Sequence, residues 1–429
     1  MSLLLLLFFF ATLPFQFALS PAPGIDLHVS RLFAIGLFGF WLIQSLLQRK
    51  LSLPASVETI LFVSFLCLSS FSLFFAENTS WGFRKFVFLL SFAPLFFVAF
   101  SVLQEKHARE RFAKWFIVGS VLSAVIGIFQ FFLPFAIGLD PALLLWQKSI
   151  LPIFSGITFS GTVSEFSSMV AHVGGVNVLR ASSLFPDPHV ASFFWGMTLP
   201  FTIAFAVHSA NRARVFFFAA SVVILVADLL TFSRGGYLAL LVTLIISLIL
   251  FFPLIVKKYA PALLCLLFIL LAFIVIPNPI VSRLLSSFDL TDHSTSGRLQ
   301  IWREAADIIA KHPLVGVGLG NYSSEVKPSA DYREPRYAHN ILLDIAAETG
   351  TINGIVFFLI LTFSIKRAFK SPSEPLKFAA GFSLLIFSVH SLFETPLYSV
   401  HILPFLLVLI AFVLAPSTTK LPQETRLEM

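Results

Sequence analysis

The sequence predicts an all-α, polytopic membrane protein with about a dozen transmembrane helices and one long external loop. Of its 429 residues, 57% are hydrophobic and only 12% are charged, whereas soluble domains carry about 25% charged residues. The 53 phenylalanines also exceed what a water-facing surface accommodates. Long apolar runs recur along the chain with polar segments between them, and we expect residues 1–429 to form a single transmembrane domain.

Each predicted span is an apolar run of roughly 17–25 residues, the length that crosses the hydrocarbon core. The spans lie near residues 2–19, 31–48, 56–75, 84–103, 113–137, 190–208, 213–232, 236–256, 260–277, 341–365, 376–395 and 397–415. The first run could instead be a signal peptide that ends near Ser20. No basic residue precedes it, which favours a span.

Basic residues concentrate in alternate connections between the spans. The connections and the C-terminal tail concerned contain Arg49, Lys50, Lys106, Arg109, Arg111, Lys114, Arg212, Arg214, Lys257, Lys258, Lys366, Arg367, Lys370, Lys377, Lys420 and Arg426. They hold more than half of the 29 Lys and Arg residues. The positive-inside rule therefore predicts that these connections and both termini are cytoplasmic. It also explains the net charge of +7, so nucleic acid is not an expected partner.

Two predicted external segments are too long to be simple turns. Residues 138–189 contain Gly and Ser clusters and are expected to include an interfacial or re-entrant piece. Residues 278–340 form the long external loop and are the most polar stretch of the chain.

A surface helix from Ser294 to Lys311 is predicted inside the long loop, with Ser296 as its cap. Its apolar residues recur at helical spacing at Leu299, Trp302, Ala306 and Ile309. Pro313 is expected to end the helix, and the glycines that follow predict a tight turn at Gly316, Gly318 and Gly320.

Four polar residues lie at the predicted external face, namely Arg180, Arg234, Arg298 and His339. Each alone has an ordinary explanation, such as a snorkelling arginine or a hydrogen-bonded interface histidine. Together they suggest chemistry, because forked guanidinium groups suit a diphosphate and a neutral imidazole can take a proton from a hydroxyl group. The combination predicts group transfer from a lipid diphosphate.

Four segments of the chain resemble the O-antigen ligase and polymerase superfamily in order and spacing. They are Ser233-Arg234-Gly235-Gly236; Gly297-Arg298 with Trp302; His312-Pro313 with Gly316, Gly318, Gly320 and Asn321; and His339-Asn340 with Glu348 and Gly350. The similarity is clearest from about residue 180 to 355. One departure is visible, since the upstream segment has Pro188-His189 where the family commonly has Pro-Asn.

The resemblance implies a C-type glycosyltransferase fold in a bacterial inner membrane, with the active site at the periplasmic face. It implies inverting transfer, without a metal or other cofactor, from a polyprenyl-diphosphate-linked glycan donor to lipid A–core or another glycan hydroxyl. By this resemblance Arg234 and Arg298 contact the diphosphate and His339 is the base. Ser233, Asn340 and, with less support, Arg180 are further substrate contacts; the role of His189 stays open, and His312 is expected to structure the glycine turn.

Other functions are compatible with parts of the sequence. A polymerase that joins lipid-linked repeat units shares the donor chemistry, although the His-Asn motif favours a ligase. A lipid-linked sugar transporter is less expected, because transporter sites usually lie near the membrane midplane and no half-to-half symmetry is visible. A metal-dependent glycosyltransferase using Asp26 and His28 lacks a paired acidic motif.

Overall fold

The computed structural model describes residues 1–22, 24–165, 168–173, 175–250, 281–283, 293–330, 336–371 and 373–416. Within these ranges the chain is mostly helical. Its strands form two antiparallel hairpins, β1 (Ala18–Ala22) with β2 (Ile25–His28) and β3 (Val170–Val173) with β4 (Val176–Leu179).

Helices account for most of the described residues. Up to residue 165 they are α1 (Ser2–Thr12), α2 (Val29–Leu47), α3 (Val57–Ser72), α4 (Thr79–Phe92), α5 (Pro94–Val102), α6 (Lys106–Phe132), α7 (Pro134–Ile137), α8 (Leu139–Leu145), α9 (Leu151–Ser155) and α10 (Ile157–Glu165). Thereafter they are α11 (Pro188–His208), α12 (Asn211–Leu229), α13 (Arg234–Leu250), α14 (His293–Lys311), α15 (Tyr322–Val326), α16 (Ile341–Thr349), α17 (Thr351–Phe369), α18 (Pro375–His390) and α19 (Ile402–Leu414).

Six helical stretches in the described ranges are long and apolar enough to cross a membrane. They are Val29–Leu47, Val57–Phe75, Thr79–Val102, Lys106–Ile137, Pro188–His208 and Thr351–Phe369. Four shorter apolar helical stretches in the described ranges add to them, at Ser2–Phe15, Arg234–Leu250, Pro375–His390 and Ile402–Leu414. These helices support a polytopic membrane protein, while the count of twelve spans stays a prediction. The predicted span 260–277 lies outside the described residues, as do parts of the predicted loop 278–340.

The first predicted span is shorter than expected. Helix α1 ends at Thr12, and a 3-10 turn over Leu13–Phe15 follows it. Pro14 cannot donate a helical backbone hydrogen bond, which explains the change. The remainder of predicted span 2–19 turns into strand β1.

The predicted span 341–365 is two helices, because the chain breaks at Gly350. This residue has a φ of 90°, and a Cβ placed there would lie 2.1 Å from the carbonyl oxygen of Leu314. The Thr351 amide donates to the carbonyl of Pro313 at 2.9 Å. The segment after α14 thus packs directly against the break, which a glycine alone accommodates without strain.

The predicted surface helix Ser294–Lys311 is present as α14, which begins one residue earlier at His293, so the predicted cap Ser296 lies within its first turn. Its buried face also differs from the predicted one. Leu299 and Ala306 are exposed, whereas Ala305 and Ile308 are buried. Apolar residues occur in two adjacent helical registers here, so the sequence spacing did not identify the one that packs.

The predicted glycine turn is confirmed, since Gly316, Gly318 and Gly320 all have positive φ. The backbone of this turn packs directly against the backbone of the connection between α3 and α4. The Asn321 side chain accepts a hydrogen bond from the Asn78 amide at 2.7 Å, and a Cβ at Gly318 would lie 2.4 Å from Ala76 Cα. The glycines therefore permit close packing of the two segments.

Phenylalanine rings join the first and last helices in one core. Phe10 of α1 contacts Phe112 of α6 at a centroid distance of 4.9 Å, and Phe116 contacts Phe405 of α19 at 4.3 Å. Other phenylalanines, such as Phe74 at 84% exposure, face outward. Phenylalanines therefore pack in the interior of the helical bundle and also form part of its apolar surface.

Charged residues from several connections that are predicted cytoplasmic lie together at one end of the bundle. Arg109 donates to Glu374 at 3.2 Å, and Lys377 lies 3.6 Å from the same carboxylate. Arg367 forms an ion pair with Glu58 at 2.7 Å. Arg109, Arg367 and Lys377, which the positive-inside rule assigns to one side of the membrane, therefore lie at the same end of the bundle.

Candidate active site

Glu394 lies at the centre of a charged cluster in the connection between α18 and α19. Its Oε2 is 2.8 Å from His339 Nδ1, and its Oε1 accepts a hydrogen bond from Arg298 Nη2 at 3.0 Å. His189 Nδ1 lies 3.7 Å from Oε1. The Glu394 side chain is only 14% exposed, so the carboxylate is held by its neighbours with little access to water.

Electrostatics keep Glu394 ionised. Burial alone raises the pKa of its carboxyl group, but the rings of His189 and His339 and the guanidinium of Arg298 lower the pKa more. The net result is a Glu394 pKa well below its ordinary value. An ionised carboxylate can only accept hydrogen bonds, so His339 Nδ1 is the donor of the 2.8 Å contact.

His339 stands immediately before α16 with a φ of 50°, in the left-handed region. Its side chain is 41% exposed, and Nε2 has no hydrogen-bond partner among the described residues. Partial burial lowers the pKa of His339, but the charge of Glu394 and the hydrogen bond to it raise the pKa more. The geometry leaves Nε2 as the nitrogen able to accept a proton.

Asn340 caps helix α16. Its side-chain oxygen accepts hydrogen bonds from the amides of Leu342 at 3.1 Å and Leu343 at 3.3 Å. Asparagine is a favoured residue at this position of a helix. The contact fixes the first turn of α16 and with it the backbone that follows His339.

Ser233 connects the motif Ser233-Arg234-Gly235-Gly236 to the charged cluster. Its hydroxyl lies 3.2 Å from His189 Nδ1 and 3.1 Å from His390 Nε2. His189 is placed by Asp187, which caps α11 and accepts a hydrogen bond from the His189 amide at 2.7 Å. The serine motif and the Glu394 cluster therefore meet through His189.

Arg234 is the first residue of α13 and is 7% exposed. The glycines after it allow close approach of other helices. A Cβ at Gly235 would lie 2.7 Å from the His390 ring, and a Cβ at Gly236 would lie 2.1 Å from Ser192 Oγ. These glycines bring the turn against α11 and α18.

Arg180 is buried, with 3% exposure, and binds backbone carbonyls. Its Nε donates to the Thr231 carbonyl at 2.6 Å and its Nη1 donates to Ser168 at 2.7 Å. Burial, followed by the nearby positive charge of Arg283, lowers the Arg180 pKa to about 10. Arg180 thus ties the segment before α11 to the residues just before Ser233, and its Nη2 has no partner among the described residues.

The remaining motif residues lie apart from Glu394. Glu348 binds Lys85 of α4 through both carboxylate oxygens at 2.7 Å, and Lys85 also lies 3.9 Å from the centre of the Tyr398 ring. His312 is exposed and its carbonyl accepts from the Gly316 amide at 3.0 Å. Asp26, the acid considered for a metal-dependent reaction, accepts hydrogen bonds from Ser20 and from the first amides of α10.

Sequence reasoning missed Glu394, His390 and Arg283. Glu394 fell at the end of the predicted span 376–395, where it was counted as part of an apolar run. A charged residue beside Pro396 at a span end was the available signal, because ionisable groups at membrane depth are usually functional. In the part of the chain that the structure describes, no group of three or more His, Cys, Asp or Glu side chains is arranged to hold a metal ion.

The O-antigen ligase family model matches residues 217–359 of the chain, about a third of its length. The match includes Ser233, Arg234, Arg298 and His339, whereas Glu394 lies beyond it. No curated protein matches the chain. The match confirms the resemblance to the O-antigen ligase superfamily and, with the apolar helices, supports a membrane enzyme of the ligase and polymerase type.

Proposed function

From the similarity to the O-antigen ligase superfamily, we propose that this protein transfers a glycan from a polyprenyl diphosphate carrier to an acceptor hydroxyl, with His339 as general base. The observation that carries the proposal is the hydrogen bond between His339 Nδ1 and Glu394, beside Arg298. This contact orients the imidazole and holds the tautomer in which Nε2 is free to accept a proton.

In the proposed reaction, Nε2 of His339 takes the proton from the acceptor hydroxyl as its oxygen bonds to the anomeric carbon. The bond from that carbon to the diphosphate oxygen breaks, and the diphosphate departs with the electron pair. The imidazolium that forms is stabilised by Glu394. Attack from the face opposite the leaving group inverts the anomeric centre.

Arg298 and Arg234 are the proposed contacts of the departing diphosphate. In the structure Arg298 uses Nη2 for Glu394, and a guanidinium group has further N–H donors for phosphate oxygens. Positive charge fixed at this position stabilises the negative charge that develops on the leaving group. The arginines can provide this stabilisation without a metal, which supports the proposal of a metal-independent enzyme.

We further propose a single domain over residues 1–429 in a bacterial inner membrane, with cytoplasmic termini and a periplasmic site. Lipid A–core is the proposed acceptor, which makes the enzyme a ligase. A polymerase joining lipid-linked repeat units is the second candidate, because the same base and arginines serve both reactions. A lipid-linked sugar transporter has less support, because Glu394 contacts both His339 and Arg298 and forms with His339 a carboxylate–histidine dyad of the kind found in catalytic sites.

The test uses purified protein in lipid with a polyprenyl-diphosphate glycan donor, with and without lipid A–core, and products resolved by gel and mass. Glycan on lipid A–core identifies a ligase, and longer lipid-linked chains from donor alone identify a polymerase. His339→Ala should abolish transfer while donor binding persists. The matched control is His172→Ala, which removes an exposed histidine of β3 and should retain activity. Full transfer by His339→Ala, or donor flipping without transfer, would reject the proposal.

A further inference from the structure

The peptide groups on either side of Ala338 are held by two side chains. The Ala338 amide donates to Asp344 Oδ1 at 2.6 Å, and the Ala338 carbonyl accepts from Trp302 Nε1 at 3.0 Å. Ala338 is fully buried. Since Ala338 precedes His339, these two bonds fix the direction of the backbone at His339.

The same aspartate reaches the segment that carries Glu394. Thr395 Oγ1 donates to Asp344 Oδ2, and Thr395 directly follows Glu394. A backbone bond adds to this connection, from the Ile341 amide to the Ser391 carbonyl at 2.9 Å. One carboxylate therefore joins the residue before His339 to the residue after Glu394.

This connection matters because His339 occupies an unfavourable backbone conformation. A φ of 50° costs free energy for a residue with a side chain, and such conformations persist where surrounding contacts enforce them. Asp344 and Trp302 provide contacts of this kind on the preceding residue. Without them, we expect the His339 backbone to relax and the imidazole to move away from Glu394.

We propose that Asp344, with Trp302 and Thr395, is a positioning residue that sets the hydrogen bond between His339 and Glu394. The inference rests on the proposed role of His339 as the base. The proposal also assigns a role to Trp302, which lies on the same helix as Arg298. Arg298 contacts Glu394, whereas Trp302 holds the residue before His339. Asp344 is buried and binds Ala338 and Thr395, so in this proposal it acts through the geometry of His339.

The groups around His339 set its pKa, and the pH profile of turnover therefore reports on the proposed positioning. Partial burial lowers the His339 pKa, Glu394 and, to a smaller extent, Asp344 raise it, and Arg298 lowers it. His189 of α11 is a further titratable group of this cluster and lies 3.7 Å from Glu394. Lengthening the bond to Glu394 weakens both upward effects of that carboxylate, which come from its charge and from its hydrogen bond. The His339 pKa then falls, and the acid limb of the turnover profile, where His339 becomes protonated and inactive, moves to lower pH.

The experiment compares Thr395→Val with Thr395→Ser in full-length protein in lipid. Valine keeps the shape but cannot donate to Asp344, whereas serine keeps the hydroxyl. We expect Thr395→Val to lower kcat roughly ten- to hundredfold with little change in the KM for the donor. We also expect its acid limb to shift to lower pH, and Thr395→Ser to resemble the parent. Trp302→Phe, which removes the indole N–H, should behave like Thr395→Val.

A second comparison separates positioning from general structural damage. In a Glu394→Gln background, Thr395→Val should add little further loss, because the bond that it positions is already weakened. Full additivity, or a lowered kcat with an unchanged pH profile, would overturn the proposal. An active Thr395→Val beside an inactive His339→Ala rejects the positioning role alone. An active His339→Ala rejects the proposed base itself. Monodisperse elution of each variant verifies folding.

Discussion

Glu394 accepts a 2.8 Å hydrogen bond from His339 Nδ1 across 55 positions of the sequence. The two residues come from the connections that precede α16 and α19. The pair combines a carboxylate whose pKa is lowered with an imidazole whose pKa is raised. Such a pair orients a base and stabilises its protonated form, as in the carboxylate and histidine pairs of many hydrolytic enzymes.

Replacing Glu394 with glutamine should impair turnover and change its pH dependence. Glutamine keeps an oxygen for Arg298 but carries no charge, so the imidazolium loses its stabilisation. We expect kcat to fall by about a hundredfold or more. His339 must be neutral to act as a base, and Glu394 holds its pKa up. Removing the charge therefore lowers that pKa and moves the acid limb to lower pH.

The measurement is the pH profile of kcat for Glu394→Gln beside the parent. Glu325→Gln is the matched control, because Glu325 is exposed on α15 and contacts none of the residues of the dyad. The same kcat and the same acid limb in Glu394→Gln and the parent would show that His339 does not depend on this carboxylate.

Replacing Lys85 with methionine should strongly destabilise the protein. Its ammonium lies 2.7 Å from both oxygens of Glu348, and the two side chains are only 11% and 4% exposed. Removal of one partner leaves a buried charge, which costs roughly 3–5 kcal/mol. The double replacement Lys85→Met with Glu348→Gln should recover much of the loss, because no charge is then left unpaired.

Thermal unfolding in detergent measures this effect. The control is Lys106→Met, which removes an exposed partner of Glu110 at 3.9 Å. That change should alter stability by less than about 1 kcal/mol. Equal shifts in unfolding temperature for Lys85→Met and Lys106→Met would mean that burial does not strengthen the first pair.

Replacing Gly318 with alanine should destabilise the glycine turn. Gly318 has a φ of 91°, and the new Cβ would lie 2.4 Å from Ala76 Cα. A left-handed conformation and backbone overpacking together cost about 2–4 kcal/mol. Gly36→Ala is the control, since Gly36 lies in α2 and a Cβ placed there would have no atom of another segment within 4 Å. It should instead stabilise by roughly 0.5–1 kcal/mol. Unfolding temperatures that order the two variants the other way would contradict this account of the turn.

Much of the candidate site was predictable from local sequence because its motifs act locally. The predicted span 341–365 begins where α16 begins, at Ile341, with Asn340 as the cap of the helix. The glycine series after Pro313 predicts a turn, and all three positions have positive φ. Arg298 and His339 were expected on one face, and both contact Glu394.

Other features depended on partners that are distant in sequence. Arg180, whose contact with the diphosphate stays a prediction, is buried and donates to the carbonyls of Ser168 and Thr231. The break at Gly350 follows from the approach of Leu314. Neither contact leaves a periodic signal along the chain.

The sequence by itself indicated that this protein resides in a membrane, because its apolar composition and the length of its apolar runs suit the hydrocarbon core of a bilayer. It also determined which residue types were available for chemistry. Only the tertiary structure decided that Glu394 pairs with His339 and that Asp344 joins the segments carrying them. The physical reason is that composition and helical periodicity describe one segment at a time, whereas a hydrogen bond between segments depends on how the helices pack.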